Sequence, residues 1–132
     1  MYVDRYVILG VVTSFLLLSL TAFGVRELYC WTTQSRFTII NQSGQEVRGL
    51  RISVGRDDYR FDLLKPNEKR SAPFTLNHEG GFCLAGSFAD GTLIEALNTG
   101  YMTTFEDRFG ITATVSILPG GRVETTHSSP LY

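Results

Sequence analysis

The chain has 132 residues, with 12 Lys and Arg, 13 Asp and Glu, and a formal net charge of −1 at pH 7. Because there is no basic excess to neutralise phosphates, this composition argues against nucleic-acid binding. After the apolar N-terminal stretch about 100 residues remain, which is enough for one domain.

The first element is an uncharged apolar stretch, residues 6–25, which lies between Arg5 and Arg26. A helix of about 20 residues spans about 30 Å, the hydrocarbon thickness of a bilayer. We therefore expect one transmembrane helix within a membrane anchor of residues 1–27. The flanking charges hardly decide its orientation. We favour a cytoplasmic N-terminus and a C-terminal domain that is extracytoplasmic, in the periplasm.

The same stretch also fits a cleaved signal peptide. Arg5 would form the basic n-region, and Thr21-Ala22-Phe23-Gly24 offers Ala at −3 and Gly at −1. The apolar run is longer than the usual h-region of about 7–15 residues, which favours a retained anchor. In the alternative, the mature protein is a released domain that begins at Val25.

Three features of the sequence indicate further contacts. Gly10 and Ser14 are small residues four positions apart, a spacing that lets a second membrane helix approach closely. Residues 28–35 form a short connector without the Gly and Pro content of a flexible tether, so the domain should stay close to the membrane. Cys30 and Cys83 could form a disulfide if the domain is exported, although each also fits as a small hydrophobe.

Beyond residue 35, short β-branched and aromatic segments alternate with turn signals. Asp90-Gly91 is the strongest hairpin signal, and Leu50, Ile52 and Val54 show the period of two that is typical of a half-buried strand. The segments expected as strands are 36–41, 47–54, 59–63, 71–76, 82–88, 92–97, 101–105, 110–118 and 122–126.

This pattern predicts an all-β domain over residues 36–126, an antiparallel β-sandwich or small barrel of seven to nine short strands, with a loose tail at residues 127–132. The pattern contains no amphipathic helix.

The polar residues match no catalytic or metal-binding motif. His78 lies in a Gly-rich turn beside Glu79, and His127 lies about 50 residues away in the tail, so both are expected to be solvated. We expect a non-enzymatic protein with no catalytic residues, metal, cofactor or small-molecule substrate. Asn41-Gln42-Ser43 fits a glycosylation sequon, but Asn41 also simply ends a strand.

A mixed apolar stretch surrounds Glu106-Asp107-Arg108. It contains Tyr101, Met102, Phe105 and Phe109. These side chains fit either a core with a loop or an exposed lip that binds a partner. The anchor, the short connector and the lack of a catalytic motif favour a non-catalytic accessory or interaction module, with the lipid bilayer and a membrane protein as partners. The alternative is an envelope ligand-binding or enzymatic domain with a pocket lined by Tyr59, Tyr101 and His78.

The domain contains a series of turn motifs, which are Ile40-Asn41-Gln42-Ser43-Gly44, Leu64-Lys65-Pro66, Asp90-Gly91-Thr92, Gly100-Tyr101 and Pro119-Gly120-Gly121. Their order resembles that in small bacterial single-pass membrane proteins of unassigned role. The resemblance implies a compact β domain at the outer face of a membrane, and it implies no activity.

Overall fold

The computed structural model describes the backbone of residues 5–130 and the side chains of residues 7–26 and 34–130. The chain forms two compact units, Met1–Thr32 and Thr33–Tyr132. The first is a helix and the second is built of strands, and each is described separately below.

Helix α1 runs over Arg5–Thr33 and so continues through most of the stretch assigned to the connector. Its segment Val7–Arg26 has a mean hydropathy of 2.2 and is long and apolar enough to cross a membrane, a property that signal sequences share. Its hydroxyl groups bond one turn back. Thr13 Oγ1 donates to the Leu9 carbonyl at 2.6 Å and Ser19 Oγ to the Phe15 carbonyl at 2.9 Å. These bonds satisfy polar groups that lipid could not solvate.

Within its described residues, 33–130, the second unit contains eight strands. They are β1 (Ser35–Asn41), β2 (Val47–Val54), β3 (Asp57–Leu64), β4 (Lys69–Phe74), β5 (Gly80–Phe88), β6 (Leu93–Met102), β7 (Thr112–Ile117) and β8 (Val123–Ser128). A one-turn helix, α2 (Thr104–Asp107), lies between β6 and β7, and a 3₁₀ turn, Pro119–Gly121, joins β7 to β8.

The strands form two four-stranded sheets, in the orders β4-β1-β7-β8 and β3-β2-β5-β6. All pairs are antiparallel except β1 and β7, which are parallel. Buried apolar side chains from both sheets form one core, so the predicted β-sandwich is confirmed. The alternation predicted for the last long strand is also confirmed, because Ile111, Ala113, Val115 and Ile117 are all at most 1% exposed.

The strand directions define two ends of the sandwich. We call the end where β1 begins at Ser35 the proximal end. It also carries the β2–β3 turn, the β4–β5 loop (residues 75–79) and the β6–β7 loop (residues 103–111). The opposite end carries the β1–β2 turn and the Asp90-Gly91 hairpin, where the Thr92 N–H donates to Asp90 Oδ1 at 2.9 Å.

Three local expectations were wrong. The alternation of residues 59–63 predicts that Leu63 shares a face with Tyr59 and Phe61. Instead Leu63 is 39% exposed and Leu64 is buried, because β2 carries an extra residue near Gly49 relative to β5 and β3 follows β2 in register. Residues 98–100, which their sequence Asn-Thr-Gly predicts as a turn, form none. Asn98 and Gly100 have positive φ and make irregularities within a single strand, β6. Strand β8 extends two residues into the predicted tail.

Candidate functional site

Helix α2 presents an exposed aromatic cluster at the proximal end. Phe105 is 58% exposed and Phe109 is 40% exposed, and their rings meet edge to face with centroids 5.4 Å apart. Tyr101, at the end of β6, is 55% exposed. We call these three residues the aromatic lip. Exposure of large rings on one loop is a feature of binding surfaces.

Met102 was predicted in the same lip, and that prediction is wrong. Its side chain is fully buried. Met102 follows Tyr101 on β6, where it pairs with Gly80, and successive residues of a strand point to opposite faces. Tyr101 therefore faces out and Met102 fills the core.

A capping box holds the lip helix in shape. The Thr103 side chain accepts a hydrogen bond from the Glu106 N–H at 3.2 Å, and Glu106 Oε2 accepts one from the Thr103 N–H at 2.9 Å. Glu106 is only 8% exposed, and its Oε1 lies 3.9 Å from His127 Nε2 on β8. Glu106 thereby closes the capping box and also lies beside β8.

Asp107 joins the lip helix to the start of β1. Its Oδ1 accepts a hydrogen bond from Ser35 Oγ at 2.5 Å, and its Oδ2 accepts one from the Leu76 N–H at 3.2 Å. Ser35 Oγ in turn accepts the Ile111 N–H at 2.9 Å. The lip is therefore held in place on a rigid scaffold.

The lip tyrosine is paired with an acid. The Tyr101 hydroxyl donates to Glu79 Oε2 at 2.6 Å. This hydrogen bond, with desolvation as a smaller cause, raises the pKa of Tyr101 above its ordinary value. Glu79 is thus occupied within the loop, and the Tyr101 ring is fixed beside β5.

Three exposed arginines share the proximal end. Arg36 is the second residue of β1, Arg56 lies in the β2–β3 turn, and Arg108 lies between the two lip phenylalanines. None of the three has an ion pair within the side chains that the structure describes. The other described arginines of the sandwich all do: Arg48, Arg51, Arg60, Arg70 and Arg122.

A second exposed apolar surface lies on β6. Leu93 is 73% exposed and Leu97 is 77% exposed, while Ile94 between them is buried in the core. A depression of about 220 Å³, lined by Ala85, Gly86, Leu93, Ile94 and Glu95, adjoins Leu93. Sequence analysis did not single out these leucines, although Ile94 and Ala96 on the inward side of the same strand would have indicated them.

The rest of that sheet face carries a charged depression of about 600 Å³. Gly49, Ala85 and Gly86 contribute to its lining, and Arg51 crosses it to make a bidentate pair with Asp58. The hydrogen bond from Arg51, followed by that from Ser53, lowers the pKa of Asp58. We call Leu93, Leu97 and this depression the outer-sheet surface.

The three residues expected to line a ligand pocket lie in different surroundings. The Tyr59 hydroxyl donates to the Pro73 carbonyl between the two sheets, Tyr101 is on the lip, and His78 is exposed in the β4–β5 loop. Cys83 is half-buried on β5 opposite Ser53. The side chain of Cys30 lies outside the described residues, so the proposed disulfide stays a prediction.

Three other predicted residues can be placed. Ser14 Oγ donates to the Gly10 carbonyl at 2.8 Å, and both residues are exposed on α1. A Cβ at Gly10 would meet nothing within 4 Å, so the helix leaves this face open. The sequon residue Asn41 is fully buried, and its amide nitrogen donates to the Gln45 and Leu64 carbonyls. The folded domain does not offer this nitrogen for glycosylation.

Comparisons with known proteins support the fold alone. No protein-family model matches the chain, and no curated protein matches it. The solved structure of a protein from Eubacterium rectale, determined by NMR, is similar with a TM-score of 0.50 and 9% identity, covering 74% of this chain and 89% of that one. A structure of pneumolysin has a TM-score of 0.40 and 9% identity. The match covers 73% of this chain and 23% of the pneumolysin chain.

Proposed function

We propose that this protein is a membrane-anchored, non-catalytic interaction module, in which α1 is retained as a single-pass anchor and the β-sandwich binds a membrane-protein partner. In this proposal the N-terminus is cytoplasmic and the sandwich lies in the periplasm. The protein would serve as a small accessory subunit or assembly partner of a membrane complex.

The observation that supports the proposal best is the exposure of Leu93 and Leu97 on the outer face of β6. Each leucine leaves about three-quarters of its surface in water. Burying a leucine side chain would contribute about 1.5–3 kcal/mol of favourable free energy. Glu95 lies between the two leucines on β6 and is also exposed, and Arg60 and Asp62 are exposed on β3 at the other edge of the same sheet. A few apolar side chains on a surface that also carries charged residues is the usual composition of a protein-binding surface.

The anchor supplies a second contact in this proposal. Gly10 and Ser14 leave an open strip on α1 that a partner helix could approach closely. A partner that binds both the helix and the sandwich would gain from the high effective concentration that a short covalent link provides.

Site-specific crosslinking in native membranes tests this proposal. A photo-reactive amino acid replaces Leu97 in the full-length protein, and a second variant carries it at Thr126, an exposed residue on the opposite sheet. We expect one stoichiometric crosslinked membrane protein with the probe at position 97, its loss on adding Leu93→Glu, and no such product from position 126. Equal crosslinking from both positions, or recovery of the protein alone, would overturn the proposal.

The mass of the purified protein tests the anchor separately. An intact N-terminus is expected for a retained helix. A mass lacking residues 1–24 would identify a cleaved signal peptide and replace the anchored module by a released domain.

A further inference from the structure

We infer that two copies of this chain pair through β3, an outer strand of the sheet β3-β2-β5-β6, in an antiparallel register centred on Phe61. The pairing sets Arg60 of each copy opposite Asp62 of the other. This inference goes beyond the proposed function, because it concerns a second copy of the chain and not the partner that the outer-sheet surface binds.

Strand β3 presents an open edge. It pairs with β2 on one side. Val54 and Asp57 face each other across the two-residue turn between these strands, so their backbone groups bond each other. Bonded and non-bonded pairs alternate along an antiparallel ladder, so the backbone groups of Asp58 and Arg60 point away from β2. Within the described residues these groups make no backbone bond to another element. Such an edge can add a strand from another chain.

The other three outer strands are interrupted or covered. Strand β4 begins with two basic residues and contains Pro73, which has no N–H to donate. Strands β6 and β8 lie against each other, since Thr99 Oγ1 donates to Thr125 Oγ1 at 3.0 Å. A Cβ at Gly121 would lie 3.0 Å from the Leu93 carbonyl oxygen, so the start of β6 is also approached closely. Among the described strands, β3 is therefore the edge most accessible to another chain.

The charges on β3 select a register. The side chains of Arg60 and Asp62 are 78% and 94% exposed, and among the described side chains their ion pair is a 3.7 Å contact with each other. A register centred on Phe61 sets each arginine opposite the aspartate of the other copy and makes two equivalent ion pairs. A register centred on Arg60 sets like charges opposite each other, which is unfavourable.

A register centred on Tyr59 would set Asp58 opposite Arg60, and two contacts disfavour it. Asp58 already accepts both hydrogen bonds of a bidentate arginine pair from β2. That register would also carry the second strand past Asp57, whose carboxylate is bonded to the β4–β5 loop. The register that pairs Arg60 with Asp62 avoids both obstacles.

The pairing leaves the exposed leucines of β6 available. The two sheets join into one sheet of eight strands, with β6 of each copy at its outer edges. Leu93 and Leu97 lie on β6 and are separated from the paired strands by β5 and β2. A dimer formed in this way offers two such leucine surfaces to partner proteins.

Charge reversal tests the pairing. The full-length protein in mild detergent is followed by sedimentation equilibrium over a dilution series, since dilution separates the copies and returns both side chains to solvent. Arg60→Glu or Asp62→Arg alone should weaken self-association about ten-fold, because each sets like charges opposite at both equivalent positions. An equimolar mixture of the two variants should associate as the wild type does, because an acidic edge then meets a basic one.

The matched control lies on the other sheet. Arg122 forms an exposed ion pair with Glu124 of β8 at 3.1 Å, so Arg122→Glu makes the same change of charge in a comparable pair. This variant should associate as the wild type does. Matching circular dichroism spectra establish that each variant is folded.

Cysteine crosslinking tests the register. In a background of Cys30→Ser and Cys83→Ser, copies with Arg60→Cys are mixed with copies that carry Asp62→Cys and are then oxidised. Residues directly opposite each other in a bonded pair have Cα atoms about 5.5 Å apart, which a disulfide can span. The mixture should therefore crosslink faster than either variant alone.

Three results would overturn the inference. A wild-type protein that stays monomeric at every concentration would exclude the pairing. Self-association that neither charge reversal weakens would place the contact elsewhere, for example on α1. Faster crosslinking of Arg60→Cys with itself than with Asp62→Cys would indicate the register centred on Arg60 and exclude the two ion pairs.

Discussion

Ser35 Oγ donates a hydrogen bond to Asp107 Oδ1 at 2.5 Å, although 72 positions separate the two residues. Ser35 is 1% exposed, and its oxygen also accepts the Ile111 N–H. One hydroxyl thus joins the first strand of the sandwich to the middle and to the C-terminal end of the β6–β7 loop.

Removing that hydroxyl should destabilise the domain. Ser35→Ala leaves the buried Ile111 N–H without its acceptor and takes a donor from Asp107, so we expect the free energy of unfolding to fall by about 1–3 kcal/mol. Urea unfolding of the full-length protein in detergent, followed by circular dichroism, measures the change. Gln34→Ala, at the exposed neighbouring residue, is the control. A loss no larger than that of the control would contradict this account.

Replacing Asn41 should destabilise the domain more than replacing any exposed residue of the β1–β2 turn. Its side chain donates to the Leu64 carbonyl at 3.0 Å, and its Oδ1 accepts from the Ser43 N–H at 3.1 Å, so it joins the β1–β2 turn to β3. Because several buried partners lose their bonds, we expect Asn41→Ala to lower the free energy of unfolding by about 3 kcal/mol. The same unfolding measurement on Gln42→Ala, which alters an exposed side chain, should show almost no change.

Gly100 occupies a position in β6 where a residue with a side chain should not fit. Its φ is +69°, and a Cβ there would lie 2.3 Å from Thr125 Cγ2. Gly44→Ala is the matched control, because Gly44 has φ +80° but open space around it. We expect Gly100→Ala to be more destabilising than Gly44→Ala by about 1–3 kcal/mol, the usual range for overpacking.

A double variant separates the two causes of destabilisation by Gly100→Ala, which are the steric clash and the strained backbone. Thr125→Ala removes Cγ2, the nearer of the two atoms that clash, so Gly100→Ala should destabilise less in that background. An equal effect in both backgrounds would show that β6 and β8 do not meet as described.

The stability of the domain should fall in acid through Glu68. The Lys65 N–H donates to Glu68 Oε2 at 2.7 Å, and this bond, followed by that from Arg70, lowers the pKa of Glu68. A carboxylate whose pKa is lowered by folding stabilises the native state above its unfolded pKa of about 4.3, and this stabilisation disappears as the pH falls through the folded pKa.

Unfolding midpoints measured from neutral pH down through the carboxylate range check this expectation. Glu68→Gln should flatten the acid limb of the curve. Asp62→Asn, whose side chain is 94% exposed, should leave it unchanged. An acid limb that is identical in wild type and Glu68→Gln would contradict the assignment.

Much of the fold could be predicted because its signals are local. The run at residues 111–117 alternates without interruption, so period-two reasoning placed each side chain correctly. The hydroxyls of α1 could be assigned to carbonyls one turn back from helix geometry alone. The Asp90-Gly91 hairpin followed from turn chemistry.

The incorrect or absent predictions have physical reasons. Leu63 and Leu64 exchanged roles because a bulge in the neighbouring strand shifts the alternation, and a bulge depends on pairing that one strand does not reveal. Helix α2 did have a local signal, since Thr103 and Glu106 have capping-box spacing, but it is too short to show an apolar period. The unpaired state of Arg108 depends on where every acid ends up, so no sequence window contains it.

The parallel pairing of β1 with β7 has a mechanical consequence. Strand β1 lies between β4 and β7 in its sheet, and the chain reaches it at Ser35 from α1. Tension applied at Ser35 along the direction of β1 would shear both ladders at once, because the ladder bonds run across the strands. Those bonds would have to break together rather than one by one, so a pull along β1 meets more resistance than a pull that peels the strand away.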